Sequence, residues 1–264
     1  MKSTIVSWHD ASYNLPYFWK LTGEVDVEKL YSALINSFNN HDIYDSYLSE
    51  GEFITDKSTV FRPAICELSY FNSHEFELAV VEKVKSYAYW SFDINTWPLQ
   101  EAIIFVNTKK NSNEYFLFIN VSHLICDVSS AYELITEINN GKIEKLNITI
   151  SNPNNTISPK REQRAKDYFA SWLKLIDSLE QPNFQLDKSL TRKNADITIN
   201  KKLIDKITLL SNNTEFEVLL TSYIVLLSRL TSQKIVTVGV PLENRGKYKR
   251  HSHGCFVNNL PITV

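Results

Sequence analysis

Cysteine is scarce in this chain and net charge is small, and both shortages exclude classes of protein. The 264 residues include only three cysteines, Cys66, Cys126 and Cys255, which are far apart and form no CxxC pair. Neither a disulfide framework nor a structural zinc site is indicated, and a reducing compartment such as the cytoplasm is expected. The formal net charge of −2 gives no electrostatic reason to expect nucleic acid or an anionic membrane as partner.

Long apolar runs are also missing. No stretch approaches the roughly 18 to 20 apolar residues that a membrane span needs, and residues 1–10 contain no apolar signal-peptide core. The sequence therefore predicts a cytoplasmic protein without a membrane partner. Hydrophobic residues nevertheless make up 43% of the chain, which is enough for a substantial core in one large domain or two lobes.

The apolar pattern predicts a mixed α/β protein with two lobes. Residues 147–162 are rich in Asn, Ser, Pro and Thr and are the best candidate for a linker. We therefore expect an N-terminal lobe over residues 1–160 and a C-terminal lobe over residues 161–264. Within the second lobe, residues 218–230 are apolar nearly all round, which predicts a helix buried on every side.

The most informative stretch is SHLICDV at residues 122–128, where His123 and Asp127 lie four positions apart. It follows an apolar and aromatic run at 115–119, which is typical of a strand buried on both faces, and precedes helical spacing over 129–138. Strand-to-helix turns often carry functional side chains. A neutral imidazole near pH 7 suits proton transfer, although a core histidine bonded to a backbone carbonyl is the alternative.

Two later segments place this motif in a wider pattern. Residues 238–245 read VGVPLENR and residues 254–261 read GCFVNNLP. With SHLICDV, they follow the His-His-x-x-x-Asp-Gly, Gly-x-Pro-x-x-x-Arg and Phe-Val-Asn segments of one family in order. The sequence resembles the condensation domains of nonribosomal peptide synthetases, members of the chloramphenicol-acetyltransferase-like acyltransferase superfamily.

The resemblance implies a fold of two chloramphenicol-acetyltransferase-like lobes in a V shape, each a mixed sheet covered by helices. The second lobe is expected to be incomplete, because family members continue well past the Phe-Val-Asn segment and this sequence stops at Val264. It also implies that His123 is the catalytic residue, facing a tunnel between the lobes.

Roles for three further residues follow from the same resemblance. Asp127 is expected to be structural and to pair with Arg245, which would tie the lobes together; two solvated surface charges are the alternative. Asn258 is expected to line the acceptor side of the tunnel, or else to be a hydrogen-bonded structural residue.

The motif departs from the family pattern at both ends. Ser122 stands at the first histidine of the signature and Val128 at its glycine. Glycine suits a turn with positive φ or close substrate approach, so Val128 is the more consequential change. Ser122 beside a histidine is not expected to be a hydrolase nucleophile, because no Gly-x-Ser-x-Gly elbow surrounds it.

The activity implied is amide formation between a carrier-protein-bound acyl or peptidyl thioester and an amine. The domain itself would bind no cofactor, since its substrates arrive on the phosphopantetheine of partner acyl or peptidyl carrier protein domains within a synthetase. One alternative is a related acyltransferase that uses a free alcohol or amine. Another is a non-catalytic platform that recruits partners, which Ser122, Val128 and the early end of the sequence favour.

Two further features of the sequence are candidate sites. His251, His253 and Cys255 alternate and so resemble metal ligands, but a fourth ligand is not near in sequence. We therefore expect no metal site there and a plain flexible loop. Nothing in the sequence marks Cys126 as an activated thiolate.

Overall fold

The computed structural model describes residues 11–58, 60–109, 113–140, 163, 164, 167, 170, 199–245 and 252–264. The chain divides into two compact units, Met1–Ile150 with Glu243–Val257 and Ser151–Leu242 with Asn258–Val264. The predicted linker and the boundary near residue 160 lie outside the described residues. Glu243–Val257, which the sequence prediction assigned to the second lobe, groups with the first unit.

The described part of the first unit is a mixed sheet with helices. Its strands are β1 (Asn14–Leu21), β2 (Ser46–Ser49), β3 (Glu52–Thr55), β4 (Ala64–Leu68), β5 (Gln100–Asn107) and β6 (Tyr115–Ser122), and its α-helices are α1 (Val27–Asn39), α2 (Ser73–Ala88) and α3 (Val128–Asn140). Four strands pair in the order β1-β6-β5-β4, with β6 antiparallel to both neighbours and β4 parallel to β5. β2 and β3 form a separate antiparallel pair.

Strand β6 is central because its side chains enter two hydrophobic clusters. Leu117 and Ile119 pack in the cluster that includes Leu34 of α1 and Leu134 of α3. The alternate residues Phe116 and Phe118 pack in the cluster that includes Phe76 and Val80 of α2. Successive strand residues point to opposite faces, so both faces of β6 are buried, as predicted. The end of β6 is therefore a rigid platform for residues 122–128.

The second unit contains α4 (Lys201–Ser211), α5 (Glu215–Thr231), β7 (Thr237–Leu242) and β8 (Asn258–Thr263) among its described residues. The capping box that the sequence predicts at the start of α5 is present, formed by Thr214 and Glu217. β7 and β8 are antiparallel. Among the described helices of both units, none is long and apolar enough to cross a membrane.

The prediction that α5 is buried on every side is wrong for its described surface. Ile224 packs with Val238 and Val240 of β7, but Phe216 is 56% exposed and Leu230 is 68% exposed. The sequence of a helix shows which of its faces are apolar. It does not show whether another element covers each face. Among the described residues, α5 packs against β7 and contacts α4, and several of its apolar side chains stay exposed.

Candidate functional site

His123 lies immediately after β6, at the position where the central strand leaves the sheet. Its backbone N–H donates to the carbonyl oxygen of Tyr13 at 2.7 Å, which fixes the main chain of the turn to the residue before β1. The residue is half-buried. Its Nδ1 atom lies 3.7 Å from Sγ of Cys255, a contact that the sequence did not indicate. A half-buried imidazole on a fixed backbone is suited to orienting or deprotonating a substrate group.

Ser122 shapes the turn that presents His123. Its hydroxyl oxygen accepts a hydrogen bond from the backbone N–H of Leu124 at 3.3 Å, and its carbonyl accepts from Ile125 at 3.1 Å. Only 2% of the residue is exposed. Ser122 is therefore a buried turn residue, and its hydroxyl is not presented to solvent as a nucleophile would be.

Asp127 lies at the start of α3 and holds two parts of the chain together. Its Oδ1 accepts from the backbone N–H of Ser130 at 2.8 Å, which caps the helix. Its Oδ2 accepts from the backbone N–H of Phe256 at 3.0 Å. Burial raises the pKa of this carboxyl, but the hydrogen bonds from Phe256, Ser130 and Arg245 outweigh it, so the pKa is lowered overall. Asp127 is therefore held ionised.

Arg245 is the cation that faces Asp127. Its guanidinium donates to Oδ1 of Asp127, and both side chains are 5% exposed. The same group donates to Oγ of Ser130 at 2.6 Å and to the carbonyl of Ser252. The predicted pairing of Asp127 with Arg245 is thus present, and the alternative of two solvated charges is excluded. Both residues belong to the first unit, so the contact joins segments within that unit.

Sequence reasoning missed Ser130. Its hydroxyl donates to the carbonyl of Gly254 at 2.7 Å and accepts from the backbone N–H of the same residue at 2.9 Å. With Arg245 as a further donor, Ser130 links α3 to residues 252–256. A small polar residue three positions after a capping aspartate was the available signal, although many helices begin in this way without such a role.

Val128 is accommodated without backbone strain. It is the first residue of α3 and has helical backbone geometry, and its side chain is exposed, at 67%. The positive φ for which glycine would be needed does not occur at this position. The change from glycine in the family signature therefore adds an exposed isopropyl group to a normal helix start.

Asn258 begins β8 in the second unit, where it pairs with Leu242 of β7 and is exposed. It belongs to a different unit from His123. Its predicted place on a tunnel wall stays a prediction.

The segment predicted as a flexible loop is partly buried. His251 lies outside the described residues, but Ser252, His253 and Gly254 are buried. His253 bonds to Tyr44 and Glu137, whereas Cys255 contacts His123. The prediction of a plain flexible loop is wrong for these residues, because long-range polar contacts hold them against other parts of the first unit.

Cys126 is buried, with no exposed surface. Burial raises the pKa of its thiol to about 12, so the group is protonated near neutral pH. It is therefore not an activated nucleophile.

Comparison with known proteins shows the family to which the chain belongs. A family model described as "Condensation domain" matches residues 4–264. The chain is 26% identical over 273 residues to surfactin synthase subunit 1 of Bacillus subtilis (strain 168), covering 95% of this chain and 7% of the relative. The chain thus spans a small fraction of that curated relative.

Solved structures show the same fold. The structure of VibH, titled an NRPS condensation enzyme, aligns with a TM-score of 0.72 at 16% identity, covering 97% of this chain and 63% of that one. The cyclization-docking bidomain of EpoB from Sorangium cellulosum aligns with a TM-score of 0.76 at 14% identity, covering 95% and 53%. The predicted fold class, mixed α/β of the chloramphenicol-acetyltransferase-like type, is confirmed. With the family model matched over nearly the whole chain, the protein belongs to the condensation domain family.

Proposed function

We propose that this chain catalyses condensation-type acyl transfer in nonribosomal peptide synthesis. The reaction would form an amide between a carrier-protein-bound acyl or peptidyl thioester and an amine acceptor. The observation that carries the proposal is the placement of His123. It lies half-buried at the end of a strand buried on both faces, at the histidine position of the family signature.

In this mechanism His123 orients the acceptor amine and removes its proton as the amine attacks the thioester carbon. The new C–N bond forms, the C–S bond breaks, and the proton passes to the departing thiolate. General-base help of this kind contributes about 10²- to 10⁴-fold to a rate. Asp127 and Arg245 have a structural role in this mechanism, because they hold the start of α3 and residues 252–256 in place.

Carrier domains are the partners that this proposal requires. The substrates would be attached to the phosphopantetheine of acyl or peptidyl carrier proteins, and the domain itself would bind no cofactor. Support comes from the relatives, among them surfactin synthase subunit 1 and bacitracin synthase 1. Neighbouring synthetase domains would deliver these carriers.

The division into lobes near residue 160 and the role of Asn258 belong to the same proposal. If Asn258 lines the acceptor side of the tunnel, Asn258→Ala should raise the KM for the acceptor carrier more than it lowers kcat. Loss of folding in the variant would instead identify a hydrogen-bonded structural residue.

Two alternative functions are compatible with the same site. Ser122 and Val128 depart from the signature, which is compatible with a non-catalytic platform that only binds carriers. An acyltransferase that uses a free alcohol or amine would need the same histidine, because acceptor choice depends on the shape of the site rather than on its base.

Intact-mass spectrometry separates the three functions. The protein is incubated with a donor carrier loaded with an acyl thioester and an acceptor carrier loaded with an aminoacyl thioester. A mass gain on the acceptor carrier equal to the donor acyl group is expected. Transfer only to a free amine or alcohol added in parallel indicates the acyltransferase that uses a free acceptor. Carrier binding without transfer indicates the non-catalytic platform and contradicts the proposed enzyme.

A further inference from the structure

A second cluster of reactive side chains lies apart from His123 in the first unit. His41 follows α1, Glu137 lies in the last turn of α3, and His253 lies in the segment that returns from β7. Nε2 of His41 is 2.9 Å from Oε2 of Glu137, and Nε2 of His253 is 3.2 Å from Oε1. Three distant parts of the sequence therefore converge on one carboxylate.

The types and spacing of these atoms match a transition-metal site. The three ligand atoms all lie within 4.8 Å of one another. Ligand atoms around a tetrahedral zinc ion lie about 3.3 Å apart, given bonds of 2.0 to 2.2 Å. Two imidazoles and a carboxylate form a donor set that Zn²⁺ and Co²⁺ accept, with the remaining position left for water.

The cluster is shielded from solvent. The side chains of His253, His41 and Glu137 are 0%, 9% and 16% exposed, respectively. The two imidazole rings stack at 3.6 Å between centroids with 13° between their planes. Parallel rings direct their Nε2 lone pairs side by side, so the stack has to open by rotation of the rings for both atoms to bind one ion.

A second residue is placed to hold His253 in the form that a metal requires. The hydroxyl of Tyr44 lies 2.9 Å from Nδ1 of His253, and Tyr44 is fully buried. Without an ion, Nε2–H donates to the carboxylate of Glu137 and the hydroxyl of Tyr44 donates to Nδ1. When an ion binds Nε2, the proton moves to Nδ1, and Nδ1–H donates to this hydroxyl instead. Histidine ligands are commonly oriented in this way by a hydrogen bond to the other ring nitrogen.

Glu137 is also reached from a surface pocket. The pocket has a volume of about 500 Å³, and Asp26, Glu28, Lys29, Ser37 and Glu137 are among its lining residues. Acidic groups at its rim outnumber the lysine and favour entry of a cation. Ser37 is fully buried, and its hydroxyl has no hydrogen-bond partner in the described part of the chain. The pocket thus offers a route to Glu137, and Ser37 adds an unpaired oxygen to its lining.

We propose that His41, Glu137 and His253 bind one divalent transition-metal ion, with Zn²⁺ the best match to the donor set. The ion fastens residues 252–256 to α1 and α3. None of the three ligands is assigned a step in acyl transfer. The ion bears on the site through position, since Cys255 of the same segment lies 3.7 Å from His123.

Cobalt titration tests the site directly. The full chain, first treated with a chelator and dialysed, is titrated with CoCl₂ and followed by visible absorption. We expect d–d bands that saturate at one Co²⁺ per chain and disappear when Zn²⁺ is added. Glu137→Gln and His253→Gln should abolish this saturation, and Tyr44→Phe should weaken it by about tenfold. His74→Gln, a change at an exposed histidine on α2, is the matched control.

Thermal unfolding of the wild-type chain keeps the test valid if a ligand variant does not fold. Zn²⁺ that binds the folded state should raise the Tm of the chelator-treated wild type, and excess chelator should reverse the rise. Absence of cobalt bands together with an unchanged Tm would overturn the proposal. Bands that survive in folded Glu137→Gln and His253→Gln would overturn it as well, because the ion would then lie elsewhere.

Discussion

Asp127 contributes more to the site than its spacing from His123 indicates. One carboxylate caps α3, accepts from the backbone of Phe256 and faces the guanidinium of Arg245. Because the pair is almost fully buried, removing one partner leaves an uncompensated charge away from water. The contribution of this pair to stability is therefore measured by removing one of its two partners.

We expect Arg245→Gln to lower the free energy of unfolding by about 3 to 5 kcal/mol, the usual effect of breaking a buried pair. Urea unfolding measures it. Lys20→Gln is the matched control, because it removes an exposed pair with Glu77 whose side chains are 46% and 47% exposed, and such pairs contribute under about 1 kcal/mol. Equal losses in the two variants would show that Arg245 is not paired in solution.

The lowered pKa of Asp127 predicts a particular acid response. A carboxyl whose pKa is lower in the folded than in the unfolded state adds stability above the unfolded value, about 3.9. That stability is lost as the pH falls through the folded value. Wild type should therefore lose more stability than Asp127→Asn between pH 5 and pH 3, measured by urea unfolding. Parallel losses would contradict the lowered pKa.

Helix α3 and strand β6 show how far sequence reasoning reaches. The apolar run of β6, its burial on both faces and the helix after Asp127 follow from local periodicity, and each is present in the structure. The pairing of Asp127 with Arg245 was anticipated because the resemblance supplied a partner 118 positions away.

Residues 252–256 show where it fails. Burial of His253, the bonds of Ser130 to Gly254 and the contact of Cys255 with His123 have no periodic pattern in the sequence. They depend on which distant element lies against the segment. Helix α5 shows the opposite failure. Its apolar pattern predicted burial on every side, but several of its apolar side chains are exposed.

Val128→Gly tests whether the start of α3 needs glycine. Val128 is exposed and helical, so glycine should give no relief of strain and should lower the free energy of unfolding by a few tenths of a kcal/mol, through lower helix propensity. Acyl transfer should stay within about threefold of wild type. A large gain in transfer would show that the isopropyl group obstructs the substrate, contrary to this view of the turn.

The two compact units and the family match describe the molecule as a whole. The first unit alone contains the sheet that fixes His123, the carboxylate and guanidinium that hold the turn, and the His41, Glu137 and His253 cluster. Departures at residues 122 and 128 leave this framework unstrained, since Ser122 bonds within the turn and Val128 points outward. The framework around the histidine that we propose to be catalytic is therefore intact.

The dependence of acyl transfer on His123 is the most direct test of this conclusion. The measurement is the initial rate at which the acceptor carrier gains the mass of the donor acyl group, for wild type, His123→Ala and His74→Ala, each checked for folding by circular dichroism. His123→Ala should lose at least about 10²-fold in rate, and His74→Ala, altered at an exposed histidine, should match wild type. Transfer by folded His123→Ala within twofold of wild type would remove His123 from the mechanism and contradict the proposed function.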